Sequence, residues 1–398
     1  MRPVNQFPEL SELQDDLQMA SLISALEENI RILKERGTVP MSFGANKITS
    51  GEYAAALSEL LREARQDPSG ERFRALLREK FQAFEVYGDE EWGQVFITSY
   101  FEPVIEGSRK ARGRFKQPLY GMPKDMVEVD IKSFASRRPA LAESSGMLRG
   151  RVIASKNGPA RVVAYPDRAQ IQAEGLKSVA PILAWVDPVD AFFLEIQGSG
   201  VVKLDNGKQI NVGYAGQNGS PYVPIGKFLL DKIPKEKMSQ QAIEAHLRSL
   251  PEMEARQLMS MNPSYVFFRP LNGAGVTYFG SEVVPGRTIA TDQTYFPKGA
   301  LAFLQFDKPT FSAPTAREPA AWQPASRFVL DHDTGGAIRG PHRVDLFWGR
   351  GDEAKQSAGV MRRKGRLLYF APKAALTATR NSSSRSRLVS MADDASGI

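Results

Sequence analysis

Three aspartates and two histidines crowd the fifteen positions from Asp331 to Asp345, within a stretch that runs from Leu330 to Gly349 and contains Gly335, Gly336 and Gly340. Two chemistries suit these residue types. Asp331, His332, Asp333 and His342 carry metal-ligating atoms, although their spacing follows no fixed ligand pattern. Asp333 and Asp345 could instead form a carboxylate acid/base site, one raising the other's pKa by like charge or burial. A plainer reading makes Asp333-Thr334-Gly335-Gly336 a turn and Asp345 a surface residue on an edge strand. A second polar segment ends an apolar run, Phe192 to Ile196, in Gln197-Gly198-Ser199-Gly200. Read as a strand, that run would present amides and a hydroxyl to a sugar or amide-rich ligand, or would simply leave the sheet. Tyr214-Ala215-Gly216-Gln217-Asn218-Gly219 carries the same two readings.

Composition narrows the chemistry. The chain has 398 residues, no cysteine and only three histidines, so thiolate nucleophiles, disulfides and Cys-containing metal sites are excluded. Carboxylates must do most of any catalysis. Gly273-Ala274-Gly275 lacks a dinucleotide fingerprint because position 278 is Tyr, and no Walker loop, His-Glu-x-x-His or Gly-x-Ser-x-Gly elbow occurs. The formal charge of +7 favours acidic partners, but the basic residues are scattered. A nucleic-acid binder would therefore rest on charge alone, and it predicts a steep salt dependence. Met1 to Pro8 holds no signal-type apolar core, and no run of about 18 apolar residues is present, so the sequence as it stands predicts neither a membrane span nor an export signal.

The elements that must position these residues change character along the chain. Apolar residues at helical spacing predict a helix over Ser11–Arg36, closed by Gly37, and a second capped by Ser50. A third, after Pro68-Ser69-Gly70, would turn Phe73, Leu76, Leu77, Phe81 and Phe84 inward. Beyond Gly88, short β-rich runs alternate with turns, and Asp205-Asn206-Gly207-Lys208 reads as a hairpin. A helical island capped by Ser239 occupies residues 224–260, and strands resume to Phe370. The Ala/Ser/Arg-rich segment 373–398 reads as a disordered tail. The expected class is α+β, mainly β.

Taken in order, several segments resemble the membrane-bound lytic murein transglycosylase A family. They are Phe96 to Ile105, Asp190 to Gly200, Tyr214 to Gly219, Ile225-Gly226-Lys227, Asn262 to Phe268, Ile289 to Asp292 and Asp333 to Gly349. The likeness spans residues 90–370. It implies a double-psi β-barrel of residues 1–102 and 271–372, with a smaller β domain, 103–270, inserted as the other wall of a glycan groove. It also implies a lytic exotransglycosylase, a lyase that cuts the β-1,4 bond between N-acetylmuramic acid and N-acetylglucosamine and leaves 1,6-anhydromuramoyl ends. A glycan-binding module or a hydrolytic glycosidase on the same groove is the alternative.

Carried onto this sequence, the family's single acid/base is Asp345. Asp333 is its neighbour, and Asp292 orients backbone or substrate at the barrel mouth. One carboxyl suffices because the substrate's own C6 hydroxyl is the nucleophile, where a hydrolase usually needs two carboxyls. Thr98, Gln197, Gly198, Ser199 and Tyr214 are the residues the resemblance places in sugar subsites. It implies no metal and no cofactor, peptidoglycan strands and other cell-wall enzymes as partners, and no nucleic acid. The implied location is periplasmic with outer-membrane association, although the family's lipidated cysteine has no counterpart in this sequence.

Overall fold

The computed structural model describes residues 1–376 apart from 89, 135–136, 142–146, 156–157, 274 and 337. The chain forms two compact units. Met1–Phe101, Val276–Gly349 and the segment from Glu353 onward make the first, and Glu102–Gly275 with Arg350–Asp352 makes the second.

Six strands of the first unit close on themselves: β1 (Gln94–Glu102), β2 (Thr288–Ala290), β3 (Leu301–Thr310), β4 (Ala321–Asp333), β5 (Arg343–Arg350) and β6 (Arg363–Pro372). Around the ring the order is β6-β3-β4-β2-β5-β1, and β1 pairs back to β6. The β2–β4 pair is parallel, whereas β3 is antiparallel to both β4 and β6, β2 to β5 and β1 to β6. These directions leave β1 and β5 running the same way. The closed barrel is the architecture the resemblance implied. Side chains alternate between faces along a strand. Val95, Ile97, Val344 and Leu346 therefore join the apolar core, while Phe96, Thr98, Tyr100, Arg343, Asp345 and Phe347 take the other face.

Three helices pack against the barrel. The first begins at Met19, later than the periodicity predicts, and ends on Gly37 as expected. The second is capped by Thr49 rather than Ser50, because Thr49 accepts the Glu52 amide while the Glu52 carboxylate reaches back to it. Ser50 donates instead to the Val39 carbonyl. The third stops at Lys80, and Phe81 and Phe84 are buried from a strand, Phe81–Glu85, that pairs with β6. Tyr53 ties the second helix to the barrel: its hydroxyl donates to the Phe370 carbonyl and accepts the Leu301 amide.

The second unit holds a six-stranded sheet, ordered Val266–Leu271, Gln209–Gln217, Ser199–Leu204, Val104–Ser108, Ile182–Val186 and Gln117–Tyr120. Its edges come together where Gln117 donates to the Tyr265 hydroxyl, so the sheet nearly closes. The turn at 205–208 joins two antiparallel neighbours, as predicted, and Ser239 caps the helix Gln240–Ser249.

The run Phe192–Ile196 is not a strand. Pro188–Gln197 is a helix with Asp187 as its N-cap, Pro188 in its first turn and Gly198 in the left-handed conformation at its end. These stop and start signals outweigh a short apolar run, whose periodicity alone cannot separate a strand from a buried helix. Of the segment read as a tail, Lys373–Leu376 make a helical turn, and Lys373 donates to the carbonyls of Arg78 and Glu79. The rest of it lies outside the described residues.

Candidate active site

Strand register assembles the polar centre. Ala290 of β2 stands opposite Asp345 of β5 on one side and Asp333 of β4 on the other. The two aspartates thus flank a small side chain in one row across three strands. Thr98 of β1 reaches the row from the far side and donates its hydroxyl to Asp345 Oδ1 at 2.7 Å. Two residues on, Tyr100 donates to Asp333 Oδ2 at 2.9 Å and packs against Phe347 with ring centroids 5.1 Å apart. Asp345 is therefore neither on an edge strand nor a free surface group, which overturns the plainer reading of that residue, while the chain does turn after Asp333.

The two carboxyls differ in their surroundings. Burial pushes Asp345 up to about 6; the Thr98 hydrogen bond and the Arg343 charge oppose that rise, and the Asp333 charge adds to it. A group with such a pKa carries its proton or releases it near neutral pH, as a general acid/base requires. Asp333 is also raised by burial, but it accepts the amides of Tyr278 and Thr334 as well as the Tyr100 hydroxyl, and Lys298 attracts it. Burial holds the Tyr100 hydroxyl protonated, and the Asp333 charge reinforces this.

Asp292 serves the backbone. Its Oδ2 accepts the Gly340 amide at 2.9 Å, and its Oδ1 takes the Thr294 amide and hydroxyl. Burial raises its pKa, but these donors outweigh burial and hold the carboxylate ionised. This pins the glycine-bearing loop between β4 and β5.

The metal reading of Asp331, His332, Asp333 and His342 does not assemble. Asp331 is fully buried and accepts Lys298 Nζ at 2.7 Å, the Thr291 hydroxyl at 2.6 Å and the Tyr369 hydroxyl at 2.6 Å. His332 is stacked on Phe279, and both its ring nitrogens are engaged, by Asn29 and Ser281. Burial drives its pKa down to about 3, and the charges of Lys298 and Arg36 add to this, so it stays neutral. His332 thus ties β4 to the N-terminal helix through Asn29, and the Asp331 oxygens are spent on Lys298, Thr291 and Tyr369.

Sequence reasoning missed Tyr100 and Arg343. Period-2 alternation from Thr98 and from Asp345 would have placed both on the site face. Lys298 has no such signal, since only the fold brings it to Asp331. Thr98, read as a sugar contact, has its hydroxyl committed to Asp345.

The other four residues lie in the second unit. Gln197 ends the helix and donates to Gln240 Oε1 at 3.2 Å; Gly198 is its left-handed cap. Ser199 opens the next strand, and Tyr214 is 48% exposed beside Arg149. Asn218 and Asn262 of the quoted segments are structural. Asn218 binds the carbonyls of Pro166 and Pro263, and Asn262 receives the Val223 amide.

A closed barrel bearing one buried carboxyl raised toward neutral pH, interrupted by a separate β unit, defines an insert-bearing barrel protein. Two family models match the same two parts: the MltA specific insert domain over residues 96–269 and the 3D domain over residues 287–371. The chain belongs to the membrane-bound lytic murein transglycosylase A family. It is 32% identical over 294 residues to that protein of Escherichia coli strain K12, covering 72% of this chain and 68% of the relative. Among solved structures it resembles MltA from Neisseria gonorrhoeae, monoclinic form, with a TM-score of 0.68, 30% identity and coverage of 92% of this chain and 90% of that one. It also resembles the membrane-bound lytic murein transglycosylase from Agrobacterium tumefaciens, with a TM-score of 0.71, 28% identity and coverage of 94% and 98%.

Proposed function

We propose that this chain is a peptidoglycan lytic transglycosylase whose single acid/base is Asp345. The observation that carries the reading is the Asp345 carboxyl itself, pushed up to about 6 by burial and held by Thr98. In the first step its proton passes to the glycosidic oxygen as the bond to C1 of the muramic acid residue breaks. In the second, the O6 hydroxyl of the same residue attacks C1, and the Asp345 carboxylate takes the O6 proton. The carboxyl is thereby regenerated, no water is consumed, and a 1,6-anhydro end remains.

Asp333 stands across Ala290 from Asp345 in the same row, where its charge helps the Asp345 carboxyl keep its proton, with Tyr100 fixing its orientation. Asp292 is a positioning residue for the 334–342 loop. Gln197, Gly198, Ser199 and Tyr214 are our candidates for sugar contacts on the inserted unit. Glycan strands of peptidoglycan are the proposed substrate. We place the protein on the periplasmic side of the outer membrane; its relatives are named membrane-bound. Among the described residues no helix is long and apolar enough to cross a membrane.

Digestion of purified peptidoglycan with mass spectrometry of the products tests the reading. Anhydro ends, one water lighter than reducing ends, are expected. Reducing ends alone would overturn it in favour of hydrolysis, and binding without cleavage would favour a glycan-binding module.

A further inference from the structure

Arg343 lies two residues before Asp345 on β5, on the same strand face. Its Nη2 donates to Thr98 Oγ1 at 3.1 Å, and its guanidinium carbon sits 5.3 Å from the centre of the Phe96 ring. Its Nε is buried with no hydrogen-bond partner, and among the described residues it forms no ion pair. A half-buried guanidinium without a carboxylate of its own, adjacent to the one carboxyl that must lose and regain a proton, calls for an explanation.

The hydrogen-bond chemistry supplies one. A guanidinium can only donate, so Thr98 Oγ1 must accept from Arg343. The hydroxyl has one proton to give, and the acceptor it meets is Asp345 Oδ1. That oxygen is held as an acceptor, and the carboxyl proton belongs on Oδ2. We propose that Arg343 is a positioning residue that, through Thr98, locks Asp345 Oδ1 as an acceptor, makes Oδ2 the proton-transferring atom, and sets the pH at which Asp345 works. The inference rests on the transglycosylase reading and deepens it.

The charged and titratable groups facing Asp345 are Arg343 on its own strand, Tyr100 on β1 and Asp333 on β4, with the Lys298–Asp331 pair behind Asp333. Arg362 stands near Arg343, and its like charge opposes that of Arg343. Of these, Arg343 is the cation that opposes the rise caused by burial. A nearby opposite charge lowers a carboxyl pKa by about 1–3 units.

The test is the pH profile of kcat/KM on peptidoglycan for the full chain and for Arg343→Gln, Arg343→Lys and Thr98→Ala. Arg343→Gln should move the descending limb alkaline by about one pH unit. Arg343→Lys keeps the charge and should return the limb to the wild-type position, with a lower kcat because a single ammonium orients Thr98 less well. Thr98→Ala should move the limb alkaline and lower kcat, since both carboxyl oxygens then compete for the proton. Coincident limbs for Arg343→Gln and wild type overturn the proposal. So does an Arg343→Lys limb displaced as far as that of Arg343→Gln, because Arg343 would then act by shape. Titration of the Asp345 side-chain carboxyl by carbon-13 NMR, assigned with Asp345→Asn, follows the same shift without substrate. An enzyme that forms no anhydro ends, yet shows that shift, would refute the reaction and leave the role of Arg343 standing.

Discussion

Replacing Asp345 with Asn should abolish turnover and stabilise the protein, and the stabilisation should depend on pH in a defined direction. The folded state raises the carboxyl from 3.8 to about 6. Native protein therefore binds more protons than unfolded chain between about pH 4 and 6. Stability attributable to this group is greatest below pH 4, falls as pH rises through that window, and is level above about pH 7. Two pKa units correspond to about 3 kcal/mol held against the fold at pH 8, and residual solvent contact at this half-buried group reduces that to about 2 kcal/mol. Asn is neutral, nearly the same shape, and still accepts the Thr98 hydroxyl. Asp345→Asn should thus melt roughly 4–8 °C above wild type at pH 8, taking about 2–4 °C per kcal/mol for a unit of this size, and alongside wild type at pH 4. Activity should fall by about 10³-fold or more, toward the upper end of general acid–base effects, because both proton transfers use this one carboxyl. Wild-type kcat/KM should fall about tenfold per pH unit above about 6, where the acid form becomes scarce. Thermal scans at pH 4, 6 and 8 with chromatographic release of anhydro products measure all of this. A melting difference that is the same at pH 4 and pH 8, or a variant within tenfold of wild-type activity, would refute the reasoning.

Two further outcomes follow from the same geometry. Lys298→Met strands the fully buried Asp331 carboxylate, so unfolding free energy from denaturant titration should drop by about 3–5 kcal/mol, and adding Asp331→Asn should recover much of the loss. Gly198→Ala meets no neighbouring atom but forces a side chain onto φ +80°, so it should destabilise the inserted unit by about 1 kcal/mol and weaken glycan binding at the proposed subsite. Unchanged affinity, measured by calorimetry, would leave Gly198 as a helix cap alone and remove it from the candidate sugar contacts.

Where local chemistry decides conformation, the sequence was readable. Gly37 ends the first helix, Ser239 caps Gln240–Ser249, and Asp205-Asn206-Gly207-Lys208 turns a hairpin, because each acts through its own backbone and nearest neighbours. The errors fall where two local signals compete. Phe192–Ile196 has the apolar density of a strand, but the Asp187-Pro188 start and the Gly198 stop make it a helix. Phe81 and Phe84 keep the helical stripe in register, yet pairing with β6 draws them into a strand.

The residue types alone pointed to carboxylates for most of any catalysis, because with no cysteine and only three histidines few other groups titrate near neutral pH. The same residues left Asp345 undecided between a catalytic group and a surface one, since spacing along the chain carries no information about burial. Only the closed barrel settled its surroundings. It brings β1 beside β5 across 247 positions of sequence, sets Thr98 on one oxygen of Asp345, and aligns Ala290 between Asp345 and Asp333. A carboxyl's proton affinity is a property of the dielectric and the donors around it, and those are assembled by tertiary structure.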